Sequence, residues 1–306
     1  FVNVPDIASS AGSIQIQRGV GTSSNGAGSF GGTINIGTND LVTRPGLELN
    51  NSAGSFHTFK NTLMLHSGLL AKHITLDARL SNIRSDGYID RAASRLSSFY
   101  TSAAYTASNY SMRLNIFSGN EKTYQAWYGI NEHTLDTNRR YNPAGTEKTG
   151  EPYDNETDNY RQTHYQLFFN AKFSTHLKAN VALFLTRGKG YYEQYKAGAA
   201  LGDYGLPNYN DGTNIITETD LVRRLWLDNY FYGTVFSLQY QQNKTTVIAG
   251  GGWNKYDGSH FGEISWAGIQ AAVPPGYKWY DLPAGKTDLS GYIKWTQKLA
   301  EHWVVM

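Results

Sequence analysis

The stretch Ser13–Asn39, SIQIQRGVGTSSNGAGSFGGTINIGTN, decides how this chain is read. Ile14 and Ile16, then Ile34 and Ile36, sit in two short alternating runs, which predict two strands. Gly19, Gly21, Gly26, Gly28, Gly31 and Gly32 lie between them. Glycine accepts positive φ and close backbone approach, so tight turns are expected in a cramped space. Gly26-Ala27-Gly28-Ser29-Phe30-Gly31 also fits GxGxxG. That fingerprint needs a following helix to hold a pyrophosphate at its N-terminus. The β-branched run Thr33-Ile34-Asn35-Ile36 follows instead, so no nucleotide site is expected. Ser29 is no nucleophile elbow either, because Ala27 stands where GxSxG requires glycine.

Alternation continues well beyond this stretch. In 73–81, Ile74, Leu76, Ala78 and Leu80 oppose His73, Thr75, Asp77, Arg79 and Ser81. In 110–116, Tyr110, Met112, Leu114 and Ile116 oppose Ser111, Arg113 and Asn115. In 161–174, Tyr165, Leu167, Phe169, Ala171 and Phe173 share a side, with Phe168 an exception. In 177–186, Leu177, Ala179, Val181, Leu183 and Leu185 do the same, with Phe184 an exception. Period two with one apolar side is the signature of a strand. A short strand is expected at 47–52, and weaker versions of the alternation recur at 229–242, 244–256 and 288–299. Short connections are expected near 70–72, 108–109, 174–176, 242–243 and 300–301. Longer ones are expected near 86–92, 129–159, 188–217 and 257–287. Outer-membrane barrels have short turns at one end and long loops at the other, and this alternation matches them.

Composition narrows the class. The chain has 306 residues, no Cys, 14% aromatic residues and only 17% charged ones. The absence of Cys removes disulfide frameworks and thiolate metal sites. A net charge of +2 offers no electrostatic case for nucleic acid. No apolar run approaches the ~20 residues of a spanning helix, and mean hydropathy is −0.48. Strands apolar on one side only reconcile few charges with low mean hydropathy.

The order strand, Gln17-Arg18-Gly19, glycine-rich turn, Gly31-Gly32-Thr33-Ile34-Asn35-Ile36 resembles the end of the plug domain of TonB-dependent outer-membrane receptors. Gln15, Val20 and Asn25 depart from residues that many members carry there. The spellings Thr58-Phe59-Lys60-Asn61-Thr62 and Phe117 to Trp127, FSGNEKTYQAW, are similar to receptors of Bacteroidota. The resemblance implies an all-β fold: a transmembrane antiparallel β-barrel of about 22 strands, closed by a plug. It places the C-terminal part of the plug at 1–42 and about eleven barrel strands at 43–306. It implies TonB-dependent import of a scarce ligand, such as an iron–siderophore, related iron chelate, haem, cobalamin or glycan. TonB, ExbB and ExbD would supply the energy, outer-membrane lipid would surround the barrel, and a surface lipoprotein is a further partner. The location would be the bacterial outer membrane. Phe1 opens without a leader segment and Met306 follows an uninterrupted run, so we expect a piece of a longer chain.

Several candidate sites follow. The long connections carry rings: Tyr191, Tyr192, Tyr195, Tyr204 and Tyr209 in one, and Trp253, Tyr256, His260, Phe261, Trp266, Tyr277, Trp279 and Tyr280 in another. Rings give rigid contact area with a polar tip. Tyr191, Tyr192, Tyr195, Tyr204, Trp266, Trp279 and Tyr280 are the expected ligand contacts. Trp127, Trp253 and Trp303, near strand ends, also suit a membrane-interface belt. The polar strand sides carry Lys60, His73, Asp77, Arg79, Arg113, His164, Lys172, Lys294 and Lys298, which either line a wet wall or touch the plug. Arg18 is the candidate plug–barrel contact. Asp154-Asn155-Glu156-Thr157-Asp158 offers oxygens but no glycine-defined calcium turn, so no metal site is assigned. No HExxH, serine triad or paired-carboxylate spacing is present, so neither an enzyme nor a cofactor is expected. The competing readings are a soluble or surface-anchored all-β glycan-binding module and an enzyme on a smaller barrel. Burial separates the first from a receptor. Leu167, Phe169, Leu183 and Leu185 face lipid in a barrel and a packed core in a sandwich.

Overall fold

A computed structural model of the chain describes residues 4–19, 31–38, 41–300 and 303–305. The two isoleucine runs are strands β1 (Ser13–Arg18) and β2 (Gly32–Gly37), paired antiparallel with Ile14 opposite Ile36 and Ile16 opposite Ile34. A strand, not a helix, therefore follows Gly31. Most of the GxGxxG segment, from Gly26 to Phe30, lies outside the described residues.

The rest forms one sheet of 11 strands, every pair antiparallel. In chain order these are β3 (Pro45–Gly54), β4 (Thr58–Ser67), β5 (Ile74–Ser85), β6 (Ser94–Thr106), β7 (Tyr110–Tyr124), β8 (Thr157–Lys172) and β9 (Leu177–Ala200). After a two-strand ribbon, β10 (Tyr209–Asn210) with β11 (Ile215–Ile216), come β12 (Glu218–Gln242), β13 (Thr245–Ala267), β14 (Lys278–Ala300) and β15 (Trp303–Val305). A six-residue helix α1 (Glu132–Thr137), capped by Asn131, interrupts the connection after β7.

The connections alternate in length as the spacing predicts, with one exception: 55–57, between β3 and β4, is short at the end where the others are long. Two long connections are shorter than expected. Segment 188–200 belongs to β9, while 257–267 and 278–287 belong to β13 and β14.

Cross-strand partners share a side of the sheet, so the register sorts every residue. One side collects Leu49, Leu63, Leu80, Leu114, Phe169, Leu183, Leu238 and Ile293. It is open, with Leu183 49%, Leu289 82% and Ile293 79% exposed, and among the described residues no second sheet covers it. Leaving one such side chain in water forgoes about 1.5–3 kcal/mol, so this surface calls for hydrocarbon. Tyr105, Tyr110, Tyr240 and Trp295 rim its lower end, and Tyr165, Tyr232 and Trp253 its upper end. Along β9 the apolar stretch spans Leu177–Leu185. At ~3.3 Å per residue and a ~40° tilt, that crosses roughly the 25 Å band of an outer-membrane barrel. The other side is polar and faces the N-terminal segment.

Candidate functional site

Two features occupy the polar side: a contact with the N-terminal segment low down, and an aromatic cluster near the upper end.

Asp6 makes the first. Its backbone sits at φ 60°, just before a single 3-10 turn, Ile7–Ser10. Its carboxylate accepts hydrogen bonds from Lys60 Nζ at 2.5 Å, Ser81 Oγ at 2.6 Å, Thr62 Oγ1 at 2.9 Å and Ser9 Oγ at 2.5 Å. Arg79 Nη1 lies 3.3 Å from it and donates to the Asp6 carbonyl. Both partners are buried, with side chains 4% (Asp6) and 2% (Arg79) exposed. Burial pushes the carboxyl pKa up, but the bonds from Lys60, Ser81, Ser9 and Thr62 outweigh it and hold the pKa at about 2. A second contact joins Tyr100 Oη and Arg113 Nη1 to the Thr38 carbonyl, at 3.4 and 3.3 Å. Lys60, Arg79 and Arg113 of the polar set thus touch the N-terminal segment. Arg18 is exposed at the end of β1, and among the described residues it forms no ion pair. Asp6, which no sequence motif marked, makes this contact with the sheet.

The aromatic cluster rests on a small core. Leu201, Tyr204, Leu206, Leu221, Ile264 and Val273 bury one another where connections 201–217 and 268–277 fold onto β12 and β13. Gly205, at φ 69°, turns the chain after the 3-10 helix Leu201–Tyr204, and Tyr277 Oη donates to the Tyr204 carbonyl at 2.8 Å. Trp279 meets Tyr204 edge-on at 5.1 Å and Tyr280 at 5.2 Å. The Trp279 indole lies against Gly262, where a Cβ would stand 2.3 Å from the ring. Only glycine admits that contact.

Arg223 stands beside the rings. It donates to Gln194 Oε1 from Nε (3.1 Å) and Nη2 (2.9 Å), and to Tyr204 Oη from Nη1 (3.2 Å). Gln194 Nε2 in turn donates to Tyr128 Oη at 2.8 Å. Tyr192 shares the side of Gln194 and meets Trp127 edge-on at 6.4 Å. The result is a ring-lined patch with one guanidinium, an amide and several phenols.

The seven expected ligand contacts therefore divide. Tyr192, Tyr204, Trp279 and Tyr280 come together on the polar side. Tyr191, Tyr195 and Trp266 lie on the opposite side, in the row that Leu183 and Leu185 begin lower down. There Tyr191 packs on Trp226 at 4.5 Å, and Tyr195 stacks on Trp266 at 6.3 Å. Connection 125–156 covers Tyr195, whose ring lies 5.7 Å from that of Tyr153. Glu193, 2% exposed, binds Arg224 Nε at 2.7 Å and accepts from Tyr153 Oη and Asn155 Nδ2 at 2.6 Å each. Burial, with Glu193 beside it, pushes the Tyr153 phenol well above its ordinary range. The acidic run is split: Asn155 turns to Glu193, while Glu156 accepts from the Tyr195 N–H at 3.3 Å. Among the described residues no three His, Cys, Asp or Glu side chains converge on a metal-sized space. All the predicted contacts except Tyr204 sit on strands, not in loops.

No family model and no curated protein sequence matches the chain. Solved structures do. The ferripyoverdine receptor of the outer membrane of Pseudomonas aeruginosa aligns over 94% of this chain with a TM-score of 0.68 at 10% identity. The copper transporter OprC aligns over 95% (TM-score 0.64, 14% identity), and the ferric-catecholate import receptor Fiu from K12 E. coli over 94% (TM-score 0.60, 12% identity). The chain spans 39%, 40% and 44% of those three structures respectively. At such identities the likeness establishes the fold: an antiparallel wall of the kind that forms outer-membrane receptor barrels.

Proposed function

We propose that this chain is part of a TonB-dependent outer-membrane receptor that imports an iron–siderophore or a related iron chelate or haem. Residues 1–42 are the end of its plug and residues 43–306 the first eleven strands of its barrel. TonB, ExbB and ExbD drive uptake, and a surface lipoprotein is a candidate lid. The Gly31–Ile36 resemblance favours the plug assignment, and the Thr58-Phe59-Lys60-Asn61-Thr62 and FSGNEKTYQAW spellings favour a Bacteroidota receptor. One observation carries the reading. An apolar surface with aromatic rims lies on one side of the sheet, and a segment with plug-like sequence is docked through Asp6 on the other. A soluble glycan-binding module would need a packed core behind Leu183, and that side is open.

Tyr192, Tyr204, Trp279 and Tyr280, with Arg223, are the proposed ligand contacts. Rings stack on the organic shell of a chelate, and the guanidinium attracts its negative charge. Such groups suit a wrapped metal better than a bare ion. The test uses the full-length protein in cells depleted of other iron receptors. Radiolabelled iron is offered as a catecholate chelate, a hydroxamate chelate and haemin. We expect accumulation of at least one that disappears without TonB. Arg223→Ala should weaken its binding about tenfold, as a central contact residue does. Accumulation of none of the three, or accumulation indifferent to TonB, refutes the proposal.

A further inference from the structure

The apolar side of the sheet ends upward in a row of cations. On β5 the last large apolar residue of the row is Leu80, and Arg84 stands two same-side steps beyond it. Phe99 and Arg95 repeat this on β6, Tyr165 and Arg161 on β8, and Leu185 and Lys189 on β9. On β7, Lys122 follows Ile116 after three steps. Five neighbouring strands thus each place a cation past their greasy stretch.

The register sets these charges against one another. Arg84 lies directly opposite Arg95, Arg95 opposite Lys122, and Arg161 opposite Lys189. Like charges at directly opposed positions destabilise a sheet. Little inside the chain relieves them. Lys189 shares Asp228 with Arg187, at 3.2 and 2.5 Å. Arg84 rests on the Phe59 ring at 4.7 Å, and Lys122 donates to Asn155 Oδ1 at 2.8 Å. Among the described residues Arg84, Arg95, Lys122 and Arg161 form no ion pair. All four are exposed.

Their height is informative. Two same-side steps cover ~13 Å of strand, or roughly 10 Å along the membrane normal at a ~40° tilt. That is headgroup depth, and long cationic side chains can reach down from it toward the interface. A row of cations, four of the five without an ion pair among the described residues, continuous with a hydrocarbon-facing surface matches an amphiphile with phosphates at one end and acyl chains at the other.

We propose that Arg84, Arg95, Lys122, Arg161 and Lys189 form a site on the outer wall for the headgroup phosphates of a membrane lipid. The inference rests on the membrane reading above. The test uses the full-length protein in a neutral detergent, with diphosphoryl lipid A, phosphatidylcholine and inorganic phosphate as probes. Retention is read by native mass spectrometry, and stability by thermal unfolding. Lipid A should be retained and should raise the wild-type Tm, and the other two should do neither. Arg84→Gln/Arg95→Gln/Lys122→Gln should bind lipid A on the order of 100-fold more weakly, about fivefold per cation. Without lipid the variant should unfold at the wild-type temperature or above, because a repulsion has been removed. If the triple variant is not recovered, Arg95→Gln alone should show the fivefold loss. Unchanged lipid A retention, a Tm rise with inorganic phosphate alone, or a lower lipid-free Tm overturns the site. Failure of the membrane reading looks different: the wild type would not float with vesicles.

Discussion

Removing the Asp6 carboxylate leaves the Arg79 guanidinium buried without a counter-charge. Breaking a buried pair from one side costs about 3–5 kcal/mol, so Asp6→Ala should loosen the N-terminal segment by that order. Hydrogen exchange in the full-length protein is the readout. Amides of β1 and β2 should lose protection while those of β6 and β7 keep theirs, and equal protection would refute the tether. Acid should act in the same way. The docked carboxyl has a pKa of about 2 against an ordinary 3.8. A depressed carboxyl pKa stabilises the docked state fully above the ordinary value, and the contribution is lost as pH falls through the docked one. Protection of β1 and β2 should therefore decline between about pH 4 and pH 2 in the wild type but not in Asp6→Asn. Asp6 was not legible in the sequence. Apart from Ser9, its partners come from β4 and β5, more than fifty positions away, and no local pattern announces such a meeting.

At the scale of single strands, legibility depended on what each side touches. Segments 73–81, 110–116, 161–174 and 177–186 are readable because one side is open and apolar and the other polar, which imposes period two. The exceptions Phe168 and Phe184 lie on the polar side, where Phe184 packs on Phe231 at 5.2 Å. Above the apolar stretch both sides are mixed. Gly188-Lys189-Gly190-Tyr191-Tyr192-Glu193 alternates nothing, so a continuing strand read as a loop. There the Tyr160 ring lies over Gly188 and Gly190, a placement a Cβ would block. The side assignment is testable within one strand. Leu183→Arg should destabilise the full-length protein in bilayers by roughly 2–4 kcal/mol. Asn180→Arg, on the opposite side of β9, should cost far less. Denaturant titration of vesicle-inserted protein measures both, and equal penalties would contradict the assignment.

For the whole molecule, the outer strands β3 and β15 each pair on one side only among the described residues. An unpaired edge in hydrocarbon leaves backbone groups unsatisfied at several kcal/mol each. Residues 1–306 alone should therefore fail to give a monodisperse species in detergent-free buffer. A single sharp peak in size-exclusion chromatography without detergent would refute this. What the sequence determined by itself was the class of wall: strands with one greasy side, joined by alternating short and long connections, after a glycine-rich hairpin of recognisable spelling. These are properties of neighbours in the chain, and periodicity reports them directly. Only the tertiary structure decided which rings share a side and which carboxylate holds the N-terminal segment. Those facts depend on register between strands and on contacts across many tens of residues. One residue of slip would move Tyr192 from the polar side to the other without changing a letter of the sequence.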